Sequence, residues 1–444
     1  MLDTLSSPSE LTTFEEELLS EVTAEKCMEL IKSLVPTGQP GCGNSIDPEW
    51  PMAHEEDISK QVGKLLQSYG LDVEWVAAIE GRPNVVGRWN DGLEGPSLIF
   101  NDHLDTYPSC DPQEWHMSGH NPYNATLHGK YLYGRGTSDT RGNMTCQLIA
   151  VELLKKAGVK INGELICAYT VDEERHGKAG ALHLLNDYGL TADYEITAEP
   201  TSWTEGDDWG IGIALAHSGL CVVDIEMTGV RSHIWRPDEG TNPILHMAQL
   251  IETLKNTPFT HDAPEIYGPT QPSICPVRIE AGQIGEGQFT PPSCKARVWV
   301  IGLVPGMTYE SIVADMESTI AKLTIDDPTI EATITQVEGE TFVPASLEVP
   351  KEADHVQALS KAYQRILGKD PVLYRKNAYC DTLRFSHSGI PSITFGPGED
   401  GWPPVNEFID MEKVVAATKV YVLFLLDFFK AQKNKDCSSF LTAL

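Results

Sequence analysis

The stretch that most constrains the fold is Leu98-Ile99-Phe100-Asn101-Asp102-His103-Leu104-Asp105-Thr106, where an apolar run stops abruptly at a histidine and a carboxylate two residues apart. A short apolar run bounded by turn signals suits a strand covered on both faces, as in a parallel sheet. Parallel sheets hold their binding groups beyond the carboxyl ends of the strands. An α/β fold, with a mostly parallel sheet flanked by helices, is therefore the first expectation. His103 and Asp105 are the first candidate site residues.

The rest of the first half repeats this pattern. Glu15 to Leu34 and Glu55 to Tyr69 carry apolar residues at helical spacing and stop at Pro36 and Gly70. Strands are predicted over Val73 to Ile79 and Asn84 to Trp89. A polar, irregular segment, Asp111 to His128, leads to the turn Leu132-Tyr133-Gly134-Arg135-Gly136 and then to Asp139, just before a helix from Asn143 to Ala157. The run Glu164 to Val171 ends in Asp172-Glu173-Glu174, and Tyr194 to Thr197 ends in Ala198-Glu199-Pro200. Singly these are weak signals, because a histidine at a strand end is more often a hydrogen-bonded structural residue. Jointly, His103, Asp105, Asp139, Glu173, Glu174 and Glu199 sit at strand ends or adjoining loops of one segment, and scattered surface acids would not collect so.

Past Gly219 the style changes. A strand that alternates like a half-solvated one (Leu220 to Met227) is followed by a helix (Pro243 to Leu254) and strands over Ile274 to Ile284 and Cys294 to Leu303. A helix (Thr308 to Leu323) and a strand (Thr329 to Val337) complete a β-α-β-β-α-β order, which is ferredoxin-like. Residues 218–338 thus read as an insertion into a discontinuous domain made of 1–217 and 339–444. That domain closes with a helix (Ala353 to Leu367), a strand (Ser392 to Phe395) ending at Gly396-Pro397-Gly398, and a final helix (Met411 to Lys430).

The totals set outer bounds. The 444 residues exceed what one core usually serves, at roughly 150 residues per domain. A net charge of −31 repels polyanions, which makes nucleic acid and anionic membrane poor partners. The longest apolar run, Val420 to Leu426, is too short to span a bilayer. Met1 to Glu25 carries several acids and no continuous apolar region, so it does not read as a secretory signal or a basic transit peptide. Ten cysteines with no Cys-x-x-Cys pair fit reduced thiols, and the expectation is a cytoplasmic enzyme.

The motifs resemble those of the zinc amidohydrolases that include acetylornithine deacetylase, succinyl-diaminopimelate desuccinylase, aminoacylase and carboxypeptidase G. His103-Leu104-Asp105 resembles the family's H-x-D, and Leu132 to Asp139 its L-Y-G-R-G-x-x-D. Asp172-Glu173-Glu174 resembles D-E-E, Glu199-Pro200-Thr201 resembles E-P-T, and Gly229-Val230-Arg231-Ser232-His233 resembles a G-x-x-x-H segment of the family's lid or dimerisation domain. The resemblance implies that His103, Asp139 and Glu199 bind one metal and that Asp139 bridges to a second held by Glu174. It implies that Asp105 orients His103, that Glu173 is the general base, and that His233 steadies the oxyanion in a neighbouring subunit's site. A homodimer through the inserted domain and a small amide substrate, such as an N-acyl amino acid or dipeptide, follow in the same way. Mixed imidazole and carboxylate ligands suit one or two zinc ions, with manganese or cobalt as substitutes.

The sequence departs from the family at three places. Pro403 stands where the last metal-ligand histidine is expected, three residues before Asn406-Glu407, and proline has no donor to offer. Glu399 or Asp400 would be the replacement ligand, with His387 a weaker candidate; the other expectation is a weak second site and an enzyme that runs on one ion. Gly302 and Gln288 replace an arginine and an asparagine of the lid, which weakens the case for a carboxylate-bearing substrate, although Arg384 could supply a carboxylate clamp. Trp203, Trp209 and Trp235 could line a pocket or simply pack, and His116, His120 and His128 match no metal spacing. Two further readings stay open: an enzyme using the altered site for amide formation or acyl transfer, and a lapsed catalyst kept as a binding protein. Retention of Glu173 argues against the second.

Overall fold

The computed structural model describes residues 11–35, 55–206, 208–262, 264–269, 271–282, 287–337, 341–399, 401 and 405–433. The strands that position the site are, in chain order, β1 (Asp72–Ile79), β2 (Arg82–Asn90), β3 (Ser97–His103), β4 (Glu164–Thr170), β5 (Tyr194–Thr197) and β6 (Ile213–His217). They are followed by β7 (Gly219–Thr228), β8 (Ser273–Ala281), β9 (Ser293–Leu303) and β10 (Glu331–Gln336), and then by β11 (Leu373–Lys376) and β12 (Ser392–Thr394). The chain divides into two compact units, one of Met1–Leu215, Val349–Tyr374 and Cys380–Leu444, the other of Ala216–Glu348 and Arg375–Tyr379.

The first unit carries an eight-stranded sheet in the order β1-β2-β4-β3-β5-β12-β6-β11. Its centre is parallel, β3 lying between β4 and β5 and β5 beside β12, whereas β1, β2 and β6 pair antiparallel with their neighbours. Leu98, Ile99 and Phe100 are all fully buried, which explains the run without alternation. Phe100 meets Tyr421 and Phe424 of the last helix, Met411–Phe428, while Ile99 packs with Ile166, Ala168 and Phe385. The last helix is buried nearly all round because it also packs against the helices Gly142–Lys156 and Asp354–Leu367.

Most predicted elements appear within a few residues of their expected limits. The helix expected over Glu15 to Leu34 is two, Thr13–Ser20 and Ala24–Leu34, because Thr23 adopts an extended conformation and its hydroxyl accepts from the Lys26 amide. A hairpin, Ser202–Glu205 with Asp208–Ile211, and the strands β6 and β11 were not anticipated, being short and without a clear period.

The second unit has the sheet order β8-β9-β7-β10, with β7 pairing antiparallel to both β9 and β10 and β8 antiparallel to β9. With the helices Pro243–Lys255 and Tyr309–Asp326 this is the β-α-β-β-α-β arrangement. The unit runs on to Glu348 rather than stopping at 338, since Phe342–Val343 adds a short strand to β7. Ile284, the expected end of β8, lies outside the described residues.

One buried group gives this fold a pH dependence. His355 is fully buried, packs against Tyr194 with ring centroids 4.6 Å apart and the planes tilted by 36°, and neither ring nitrogen has a hydrogen-bond partner. Burial pushes its pKa down to about 3 from the usual 6.5. The unfolded chain therefore takes up a proton that the folded one refuses, and stability present above pH 6.5 is lost as the pH falls toward 3. By pH 4 the loss from this residue is on the order of 3 kcal/mol. His355→Phe keeps an aromatic ring against Tyr194 and should flatten the decline in melting temperature between pH 7 and pH 4; an equal decline in both proteins would remove His355 as the cause.

Candidate metal centre

His103, Glu173, Glu174 and Glu199 stand at or just after strand ends of the sheet, and Asp139 lies in the turn Thr137–Arg141. β3 ends at His103, whose Nδ1 faces the Asp105 carbonyl at 3.1 Å and its carboxylate at 3.3 Å. Nδ1 therefore carries the proton, and Nε2 is turned toward Asp139 Oδ1 at 3.0 Å and Glu199 Oε1 at 3.2 Å. Asp105 does a second job, since its two carboxylate oxygens accept the backbone amides of Glu173 and Glu174, each at 3.2 Å. Arg141, fully enclosed, donates to the carbonyls of His103 at 3.0 Å and Leu104 at 2.6 Å and so fixes the turn between histidine and aspartate.

Asp139 is positioned by a residue far along the chain. Glu407 is fully buried, and one of its oxygens accepts from Arg135 and the Gly136 amide while the other accepts from the Ser138 and Asp139 amides, all at 2.8–2.9 Å. This carboxylate is the physical reason for the arginine and the glycine of the Leu132–Asp139 motif. Gly136 has φ +81°, and a Cβ there would lie 2.9 Å from Thr106 Cγ2. The Asp139–Thr140 peptide bond is cis. Glu173 and Glu174 open a short 3₁₀ turn after β4, with Asp172 before it and His176 after it both at positive φ. Arg384 anchors that turn by donating twice to the His176 carbonyl, at 2.7 and 3.1 Å.

Among the described residues, two groups bring three donor atoms within 4.8 Å of one another: His103, Asp139 and Glu199, and His103, Glu173 and Glu174. The second pairs Glu174 with Glu173 and not with Asp139, although Asp139 is the charge that most raises the pKa of Glu174 after burial. Glu173 Oε2 stands 3.9 Å from His103 Nε2. Burial works against a charged His103, but the surrounding carboxylates outweigh it and push its pKa well up. Burial likewise pushes Glu173 and Glu174 well up, their neighbouring acids adding to it. Asp105, Asp139, Glu173 and Glu199 all bring a carboxylate oxygen within 4 Å of the one imidazole, and Glu174 Oε1 is buried without a hydrogen-bond partner. A mixed nitrogen and oxygen donor set with an orphaned carboxylate oxygen fits a divalent cation.

The remaining candidates lie elsewhere. Glu399 is paired with the buried Lys413 at 2.6 Å and its amide donates to Ser138 Oγ, so its carboxylate is already neutralised and it joins neither donor group. His387 ends the helix Thr382–His387 in an exposed position and joins neither group. Arg384 is not a surface arginine; it is 6 % exposed and holds the loop of the two glutamates. Asp400 and Pro403 lie outside the described residues. His233 belongs to the second unit, in a loop bridged to Phe289. Trp203 and Trp209 are half-buried in the hairpin, and Trp235 is 84 % exposed. Sequence reasoning missed Arg141, Lys413 and the roles of Arg135 and Glu407. Of these, Arg135 carried a signal in the Leu132–Asp139 motif and Glu407 in the Asn406-Glu407 pair.

A mostly parallel α/β sheet whose central strands end in one histidine and a ring of carboxylates defines a metal-dependent hydrolase. Residues 99–427 match the model of peptidase family M20/M25/M40, and the chain belongs to that family, whose hydrolases act on amide bonds. It is 27 % identical over 411 residues, 87 % of this chain and 93 % of the other, to N-formyl-4-amino-5-aminomethyl-2-methylpyrimidine deformylase of Bacillus subtilis. It is 26 % identical over 354 residues, 79 % of this chain and 87 % of the other, to succinyl-diaminopimelate desuccinylase of Paracoccus denitrificans. The fold matches human carnosine dipeptidase 1 with a TM-score of 0.73 at 14 % identity, covering 95 % of this chain and 100 % of that one. No helix among the described residues is long and apolar enough to cross a membrane.

Proposed function

We propose that the protein is a zinc-dependent amidohydrolase that removes a small acyl group from an amine. The single observation behind this reading is the convergence of His103, Asp139 and Glu199 beside a buried glutamate, Glu173, whose carboxylate stands 3.9 Å from His103 Nε2. His103, Asp139 and Glu199 would hold one ion, and Glu174 with Asp139 a second if one is bound; manganese or cobalt could replace zinc. A bound cation would supply Lewis acidity to the scissile carbonyl and acidify water at the site. Glu173 takes the proton from the attacking water and returns it to the leaving nitrogen. Asp105 keeps His103 in the required tautomer and, through the two amides it accepts, holds Glu173 and Glu174 in register. His233 is assigned to the oxyanion in a neighbouring subunit's site.

The amine half is the less ordinary part. Gly302 stands where a carboxylate-clamping arginine is expected; it has φ +79°, and a Cβ would lie 3.4 Å from Asn377 Oδ1. This favours an amine without an α-carboxylate, in line with the similarity to a pyrimidine deformylase. A homodimer through the second unit is part of the proposal. It is supported by the exposed apolar residues Val277 and Ile279 on the edge strand β8 and Ile244 and Leu245 on the neighbouring helix. A reducing cell interior is supported by eight free thiols among the described cysteines.

The test is a panel of N-formyl and N-acetyl arylmethylamines, N-succinyl and N-acetyl amino acids and dipeptides, assayed with zinc, manganese and cobalt. Fastest turnover is expected on the short-chain amides of the arylmethylamines. Turnover confined to the amino-acid derivatives would refute the amine assignment, and no turnover anywhere would refute the hydrolase.

A further inference from the structure

Lys413 is 0 % exposed, yet it sits in the first turn of the helix Met411–Phe428, where the helix dipole disfavours a cation. Burial and dipole both count against it, and the offsetting interactions are specific. Its three N–H groups are shared among four oxygens, Glu399 Oε1 at 2.6 Å, Thr204 Oγ1 at 2.9 Å, Ser202 Oγ at 3.1 Å and the Trp203 carbonyl at 3.2 Å. Three of these four oxygens belong to the segment that leaves Glu199, and the fourth closes the Gly396-Pro397-Gly398 turn.

That turn is wedged between two ligand-bearing segments. A Cβ on Gly396 would lie 2.6 Å from the Glu199 carbonyl, and one on Gly398 2.5 Å from the Ser138 carbonyl. The Thr201 and Ser202 amides donate to the carbonyls of Gly396 and Gly398, and the Glu399 amide donates to Ser138 Oγ. Asn143 joins the same parts, accepting from the Gly398 amide and donating to the Ser138 carbonyl and Thr140 Oγ1. The Lys413–Glu399 pair therefore closes a frame whose other members carry Asp139 and Glu199.

We propose that Lys413 is a positioning residue for the metal centre: by tying Glu399 to Ser202–Thr204 it sets the register of Glu199 against Asp139 around His103. It also withholds the Glu399 carboxylate from the ion. The inference rests on the cation-binding reading above.

The experiment measures zinc affinity of the full-length protein by chelator competition, the absorption spectrum of the cobalt-loaded form, and thermal melting. Lys413→Met should fold and bind zinc roughly 10- to 100-fold more weakly, the usual cost of losing a residue that orients ligands, with an altered cobalt spectrum. The double variant Lys413→Met, Glu399→Gln restores charge balance without the tie, and it should remain weak. Recovery of wild-type affinity in the double variant would make Lys413 a mere counter-charge and overturn the proposal, as would wild-type affinity and spectrum in Lys413→Met. Should Lys413→Met not fold, Ser202→Ala with Thr204→Val removes two acceptors and leaves the ion pair; unchanged zinc affinity there overturns it too. Wild-type protein that binds no zinc would overturn the metal centre itself, a failure distinct from a zinc-binding wild type whose variants are unchanged.

Discussion

Glu173→Gln should keep its metal and lose turnover by roughly a hundred- to ten-thousand-fold, the range in which a positioned acid or base contributes. Glutamine preserves the volume and the backbone amide that Asp105 accepts at 3.2 Å, so the turn of the two glutamates should stay in place. What it removes is the carboxylate oxygen 3.9 Å from His103 Nε2, which is the only part able to take a proton. The measurement is paired: hydrolysis of the best substrate of the panel, and zinc content of the same preparation. Activity within a few-fold of wild type would end the assignment of Glu173 as base. Loss of zinc together with activity would instead make Glu173 a ligand, as its grouping with His103 and Glu174 allows.

The legible part of this protein was whatever a local pattern dictates. β3 could be read because Leu98, Ile99 and Phe100 are buried on two faces and leave no alternation. The insertion could be read because β7, with burial that partly alternates, differs from β3 in its very pattern. The ligand residues stood at the ends of such strands. What remained hidden depends on pairs distant in the chain. Nothing near Asp139 announces that Glu407 caps its loop, and nothing near Glu399 announces that Lys413 neutralises it. The reading of Glu399 as a free carboxylate failed for that reason, since a charge's availability depends on its partners in space. Arg384 is a parallel case: expected to clamp a substrate carboxylate, it donates to a backbone carbonyl, that of His176.

The second large effect follows from His103 being common to both donor groups. His103→Ala should leave no zinc on the protein after gel filtration at micromolar concentration. Its cost should exceed the roughly 100-fold that loss of a merely supporting residue can bring. The argument is electrostatic as well as geometric: His103 stands among the carboxylates of Asp105, Asp139, Glu173 and Glu199, and its Nε2 lies within 3.2 Å of both Asp139 and Glu199. Glu199→Gln should weaken the same ion, whereas Glu174→Gln should leave one equivalent bound, because Glu174 belongs only to the group without Asp139 and Glu199. Counting zinc in the three variants separates the two groups. One equivalent in wild type, one in Glu174→Gln and none in His103→Ala would place the working ion at His103, Asp139 and Glu199. Full zinc occupancy in His103→Ala would show that the ion sits away from the end of β3, and the centre described here would have to be abandoned.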